Sequence, residues 1–186
     1  MPPPSFSEDF MSSWGQWVLL YGLPRHPERL ERGESVPLAR WVGTSRAAVL
    51  FALWQWADQQ KSEDLLSYEV YCYCRHGKAW EEHPASGGGS HWLDPPLTRP
   101  QLAGDFVRLG MIGLSTDGLC RIGRTIGLAG TNARVIRLTS LTIRDENPVE
   151  SDLGLFVVSF DPDAYTTIEV LDDNDRALFR QLVPPV

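Results

Sequence analysis

Residues 98–143, TRPQLAGDFVRLGMIGLSTDGLCRIGRTIGLAGTNARVIRLTSLTI, decide the fold. Thr98 with Gln101 three residues on makes a capping box, and Pro100 stands in the tolerated first turn. Leu102, Phe106 and Leu109 form an inward stripe flanked by Ala103 and Val107, and Gly110 ends the segment. This predicts a helix over 98–109. Met111 to Leu114 and Leu119 to Ile122 flank Ser115-Thr116-Asp117-Gly118, whose Asp-Gly pair signals a hairpin. A glycine-rich loop, 123–132, then leads to a strand over 133–143, where Val135, Ile136 and Leu138 stand among Arg134 and Arg137. The stretch holds six arginines, no lysine and two acids.

Working upstream, Thr44 to Gln60 predicts a helix capped by Thr44 or Ser45, apolar on every face from Ala47 to Leu53 and therefore central. Ser62 to Gly77 carries helix-end signals: Ser62 as cap, Glu63 and Asp64 in the first turn, Arg75 and His76 in the last, Gly77 beyond. The alternation in SYEVYCYC fits a strand instead, and the end signals favour the helix. Residues 14–23, WGQWVLLYGL, suit a strand or a short buried helix, which periodicity does not separate at this length. Residues 24–37 read as a surface loop with one helical turn at 27–32. Residues 78–96 form a long loop with a Gly/Ser-rich centre. Downstream, 155–160 (LFVVSF) is a buried-type strand, 166–170 another, and Asp173 caps a last helix running to Leu182.

The run FVRLGMIGLSTDGLCRIGRT, followed by ARVIRLTSL, resembles the helix-end-to-wing segment of winged-helix transcription regulators. It covers roughly a quarter of the chain. The resemblance implies an α+β fold with a winged-helix-like helical core (helices 44–60, 62–76 and 98–109), a β-hairpin wing and a C-terminal strand–strand–helix extension. It departs from the family pattern in two places: about twenty residues of loop replace the usual tight turn before the third helix, and a glycine-rich excursion separates the wing strands. On this reading residues 1–13 are a flexible tail, 14–144 the winged-helix-like domain and 145–186 an acidic extension packed on it. The resemblance also implies that Arg99, Gln101 and Arg108 face DNA, with Arg121, Arg124, Arg134 and Arg137 on its backbone. Winged helices also serve as protein-binding modules, so the fold does not by itself imply DNA.

Charge sharpens both readings. The net charge is −7 over 186 residues, yet residues 97–144 carry seven arginines against two acids and residues 145–186 carry two arginines against ten acids. Such blocks mark either a local anion site or acids that fold back onto the arginines. No apolar run approaches the roughly 20 residues of a membrane span, and the first ten residues lack the basic start and apolar stretch of a secretory signal. The expected setting is cytoplasmic, without membrane contact. Three cysteines, Cys72, Cys74 and Cys120, do not make a disulfide framework.

Other constellations carry less. Cys72, Cys74 and His76, with His83 and His91, offer zinc-type ligands, but the C-x-C-x-H spacing is not a zinc knuckle, so buried thiols and no metal are expected. Nothing links Cys120 to a base. Asp161/Asp163 and Asp172/Asp173/Asp175 read as turns and caps. The segment 123–132 lacks both the Gly-Lys-Ser/Thr end of a P-loop and the G-x-G-x-x-G turn. The aromatic set Trp54, Trp56, Tyr68, Tyr71 and Tyr73 has apolar or acidic neighbours and reads as core. The expectation is a non-enzymatic factor without a cofactor that binds DNA or a nucleoprotein through arginine, as a regulator or replication accessory. The competing expectation is a protein-interaction subunit or inhibitor with an acidic C-terminal face imitating nucleic-acid charge, acting as a homodimer or within a larger complex.

Overall fold

The computed structural model describes residues 10–25, 35–55, 65–83, 104–110, 113–117 and 120–185, which form one helix and twelve strands. The helix is α1 (Phe10–Tyr21). Strands β1 (Ser35–Val42), β2 (Arg46–Gln55), β3 (Leu65–His76) and β4 (Ala79–Glu82) form an antiparallel meander, sheet A. Sheet B holds β5 (Val107–Leu109), β6 (Gly113–Asp117), β7 (Cys120–Ala129) and β10 (Leu155–Phe160), with β7 at its centre. Sheet C runs in the order β12 (Ala177–Val183), β11 (Thr166–Leu171), β8 (Val135–Thr139), β9 (Arg144–Pro148). The acidic residues 145–186 are thus woven into both B and C.

Sheet A is a middle layer, and β2 shows why. Ala48, Leu50 and Ala52 enter a core shared with sheets B and C, while Ala47, Val49 and Phe51 enter a second cluster beneath α1. Successive residues of a strand point to opposite faces, so a strand covered on both faces is apolar at every position. β3 repeats the pattern, with Tyr68, Val70 and Cys72 on one side and Tyr71 and Tyr73 on the other. α1 sits close, because Gly15 leaves room for the Tyr73 hydroxyl: a Cβ there would lie 1.7 Å from it.

These observations overturn the α+β, winged-helix-like expectation. The segment expected as helix 44–60 contains β2, and that expected as helix 62–76 contains β3. Full burial on both faces imitates a central helix, since a continuous apolar run has no distinguishing period. The residues read as a helix end at 75–77 are a hairpin: His76 pairs with Ala79 across Gly77-Lys78, and Gly77 has φ +63°. A glycine at the first central position suits the type II′ turn. Of the expected helix 98–109, residues 98–103 lie outside the described residues and 107–109 form β5. The region 173–182 is not a helix either. Asp172 accepts hydrogen bonds from the backbone N–H of Asn174 (2.9 Å) and Arg176 (3.0 Å), and Asp175 takes φ 61°. That is cap chemistry used in the β11–β12 turn. The strand expected over 133–143 is β8 and a turn leading into β9. Residues 14–21 lie in α1, which begins at Phe10 inside the segment expected as a tail and ends before Gly22 and Leu23, and strands stand where 155–160 and 166–170 predicted them.

The glycine-rich segment after Cys120 is strand rather than loop. Gly123 and Gly127 on β7 pair with Phe160 and Phe156 on β10. A Cβ at Gly127 would lie 2.0 Å from Phe156 Cζ, and one at Gly123 2.2 Å from Phe160 Cε2. Each ring lies across its partner's bare backbone, which only glycine permits. Both rings are buried, and burying such a side chain stabilises by roughly 1.5–3 kcal/mol.

Candidate functional site

The five described arginines expected to meet phosphate do not share one open face. Arg124 stands in the β7 register with Ile122 and Ile126, which enter the main core. Its Nη1 donates to Val70 O of β3 at 3.2 Å. Arg121, an odd number of positions away on β7, projects from the opposite face and is paired with Asp163. Arg134 turns back on its own loop, donating from Nη1 to Thr131 O (2.7 Å) and Ala133 O (3.1 Å). Arg108 is exposed on the short β5. Arg137 belongs to sheet C and is engaged three ways, as described below. Arg99 and Gln101 lie outside the described residues.

Acids of the C-terminal region partner two of these five, Arg121 and Arg137, and other pairs stand beside them. Besides Asp163, Asp161 meets Arg46 at 3.4 Å, Asp172 meets Arg176 at 2.9 Å, and Arg176 reaches Asp105 at 3.0 Å. The two charge blocks of the sequence meet at Arg121 and Arg137. Exposed pairs of this kind contribute about 0–1 kcal/mol each, so they fix register and neutralise charge more than they stabilise.

Sheet C carries the most ordered of these arrangements. Arg137 on β8 stands opposite Glu146 on β9 and opposite Glu169 on β11, and Glu169 stands opposite Arg180 on β12. Signs alternate across all four strands: Glu146, Arg137, Glu169, Arg180. Arg137 Nε donates to Glu146 Oε1 (2.6 Å) and Nη2 to Asp175 Oδ1 (2.9 Å), with Nη1 3.8 Å from Glu169 Oε2. Arg180 Nε donates to Glu169 Oε1 at 2.8 Å. Hydrogen bonds from Arg137 and then Arg144 hold the Glu146 carboxyl below its usual range, and the Glu146 partner raises Arg137 in turn. Glu169 lies under the two guanidinium groups, its side chain 9% exposed, whereas Arg180 is 69% exposed.

Three large apolar side chains stand at one end of the same sheet, among threonines and Arg144. Thr167 of β11 pairs with Thr139 of β8 and Leu182 of β12. Just beyond that row stand Leu141, in the β8–β9 turn, and Tyr165, before β11. Leu141, Tyr165 and Leu182 are 94%, 58% and 61% exposed. Monomeric surfaces carry scattered apolar residues without consequence, whereas large contiguous apolar patches are the ones associated with binding.

The sequence reading passed over Glu169, Arg180, Leu141, Tyr165 and Leu182. A signal was present: VIRLT, TTIEVL and ALFRQLV each place one charged residue among apolar ones at strand period, with Arg, Glu and Arg in turn. As for thiol and imidazole chemistry, Cys72 is fully buried and burial pushes its thiol up to about 11, against the opposing pull of Arg124. His83 is buried, and among the described residues no three His, Cys, Asp or Glu side chains are placed to hold a metal ion; His91 lies outside them. No helix of the described residues is long and apolar enough to cross a membrane.

In comparisons with known proteins, no family model, no curated protein and no solved structure matches the chain.

Proposed function

We infer that this chain is a protein-interaction subunit, working by binding rather than by catalysis, whose partner lies against the open end of sheet C. The observation that carries this reading is the placing of Leu141, Tyr165 and Leu182, all large and exposed, at one end of a sheet whose last strand, β12, has no neighbour beyond it among the described residues. Apolar and aromatic side chains at the centre with charged groups at the rim is the usual composition of a binding patch. Arg180 and its ladder supply the rim.

This is the protein-partner expectation with its surface relocated. An acidic face imitating nucleic acid needs unpaired carboxylates, and Asp161, Asp163, Glu169, Asp172 and Asp175 all have arginine partners. Phosphate contact has weaker support for the same reason: Arg121 and Arg137 already hold carboxylates, and Arg124 is turned toward sheet A.

Site-specific photo-crosslinking tests the reading. A photoreactive residue at position 182 in the producing cells should yield a discrete protein adduct. One at Asp152, exposed elsewhere, should not. Equal labelling from both positions, or none from 182, removes the proposal, as would tight retention on duplex DNA that falls steeply with salt.

A further inference from the structure

The strand edges of this molecule are treated unequally. On the β9 side of sheet C, the Asn147 side chain accepts from Val42 N (2.9 Å) and donates to Val42 O (3.0 Å). Asp145 accepts from Thr44 N and from Thr44 Oγ1 (2.6 Å). These contacts join β9 to the end of β1. In β1 itself, Pro37 removes a donor and a register shift follows it. β4 and β5 span four and three residues. β12 is different. After an irregularity at Leu178, it pairs with β11 without interruption from Phe179 to Val183 and is the last strand of the sheet among the described residues. In an antiparallel edge strand, alternate residues turn their N–H and C=O away from the sheet, leaving a template for one more strand.

The charge ladder states what that strand must carry. Signs alternate from Glu146 to Arg180. Among the described residues Arg180 holds Glu169 through Nε and Nη2 only; as the exposed terminal member, 69% exposed, it keeps Nη1 for a further acceptor, unlike the more enclosed Arg137. Directly opposed charges of opposite sign stabilise a strand pair, and like charges destabilise it. A second copy docking β12 against β12 symmetrically about Arg180 would set arginine against arginine, which disfavours self-pairing. Two positions along the same face stands Leu182, more than half exposed.

We propose that β12 receives an extended segment of a partner protein as a fifth strand of sheet C, bearing a carboxylate opposite Arg180 and an apolar side chain opposite Leu182. The backbone edge supplies affinity, and the two side chains supply specificity and register. This rests on the protein-binding reading above and goes beyond it in naming the mode and the chemistry recognised.

The test uses the full chain, isotopically labelled, and two capped synthetic peptides, Thr-Val-Thr-Glu-Thr-Val-Thr and its twin with lysine at the centre. The glutamate peptide should shift the amide resonances of residues 179–183 and slow exchange at alternate amides there. It should bind about fivefold more tightly than the lysine peptide, the upper range for one cross-strand charge pair. Arg180→Glu should reverse that order and Arg180→Gln should abolish it; the glutamine variant keeps the test decisive if the glutamate variant does not fold. Equal binding of both peptides, or no change at β12 with either, overturns the proposal. So does a concentration-dependent dimer of the chain alone with its β12 amides protected, which would make a second copy the occupant. An adduct at position 182 without peptide discrimination would leave the protein-binding reading standing and remove strand addition alone.

Discussion

Replacing Gly127 with alanine probes the packing that holds β7 against β10. The new Cβ would lie 2.0 Å from Phe156 Cζ and 2.5 Å from both Cε atoms, where carbon atoms rest about 3.5–4 Å apart. The ring must retreat by about 1.5 Å, and it has little room, being 2% exposed and set in the main core. Overfilling a packed core costs about 1–3 kcal/mol. Relief of glycine's backbone freedom offsets about 0.5–1 kcal/mol of this. The net loss of about 0–2.5 kcal/mol, centred near 1, corresponds to a fall in melting temperature of up to about 10 °C for a chain of this size. Gly113→Ala is the control, because its nearest neighbours are atoms of Arg124 at 3.5 Å, an ordinary contact; it should be neutral or slightly stabilising. Phe156→Leu should destabilise alone, yet with Gly127→Ala the pair should cost less than the sum by about 1 kcal/mol, the methyl filling vacated space. Thermal and denaturant unfolding of the four variants beside the parent chain reads this directly. If Gly127→Ala stabilises as Gly113→Ala does, or if the cycle is additive, the ring does not lie over the glycine and the β7–β10 register is wrong.

Two further outcomes follow from the joints between sheets and from the ion pairs. Asn147→Ala strips Val42 of both side-chain partners and should lower stability by about 1–3 kcal/mol; denaturant titration with no shift in midpoint would contradict the joint. In acid, Glu146, Asp105 and Asp172 are all held below their ordinary values, chiefly by hydrogen bonds from Arg137, Asn132 and Arg176 respectively. Their contribution is complete above the unfolded carboxyl range near pH 4–4.5 and is lost as pH falls through the lower folded values. Unfolding midpoints should therefore be level from pH 7 to 5 and drop below pH 4. In Arg137→Met the drop should be shallower, and an unchanged profile would show that Arg137 does not hold Glu146.

Part of the architecture could be read from residues alone. LFVVSF and TTIEV are strands because β-branched and aromatic side chains in short runs suit a pleated, buried surface. The Asp117-Gly118 signal does join two paired strands, Asp117 standing opposite Cys120. What misled was local chemistry shared between structures. Thr44, Ser62 and Asp173 can all cap helices, and Asp172 shows the same oxygen-to-amide bonding serving a β-turn. Ala47 to Ala52 carry no visible period, because the helix on one side and two sheets on the other demand apolar residues at every position. The arginines were conspicuous and their partners were not, since pairing such as Arg40 with Glu150, at 2.8 Å and 110 residues apart, depends on a topology that composition does not encode. The row from Glu146 to Arg180 needs three strand registers before it exists as a row.

The layering of sheet A also has a bearing on how the chain is made. β2 is complete at Gln55, while β10, which packs on its inner side, begins only at Leu155, about a hundred residues later. At a synthesis rate of about 5–20 residues per second, Ala48, Leu50 and Ala52 wait roughly 5–20 seconds for their cover. α1, by contrast, has already left the ribosome when β2 emerges, so one side of the meander is clothed at once and the other stays bare through most of translation.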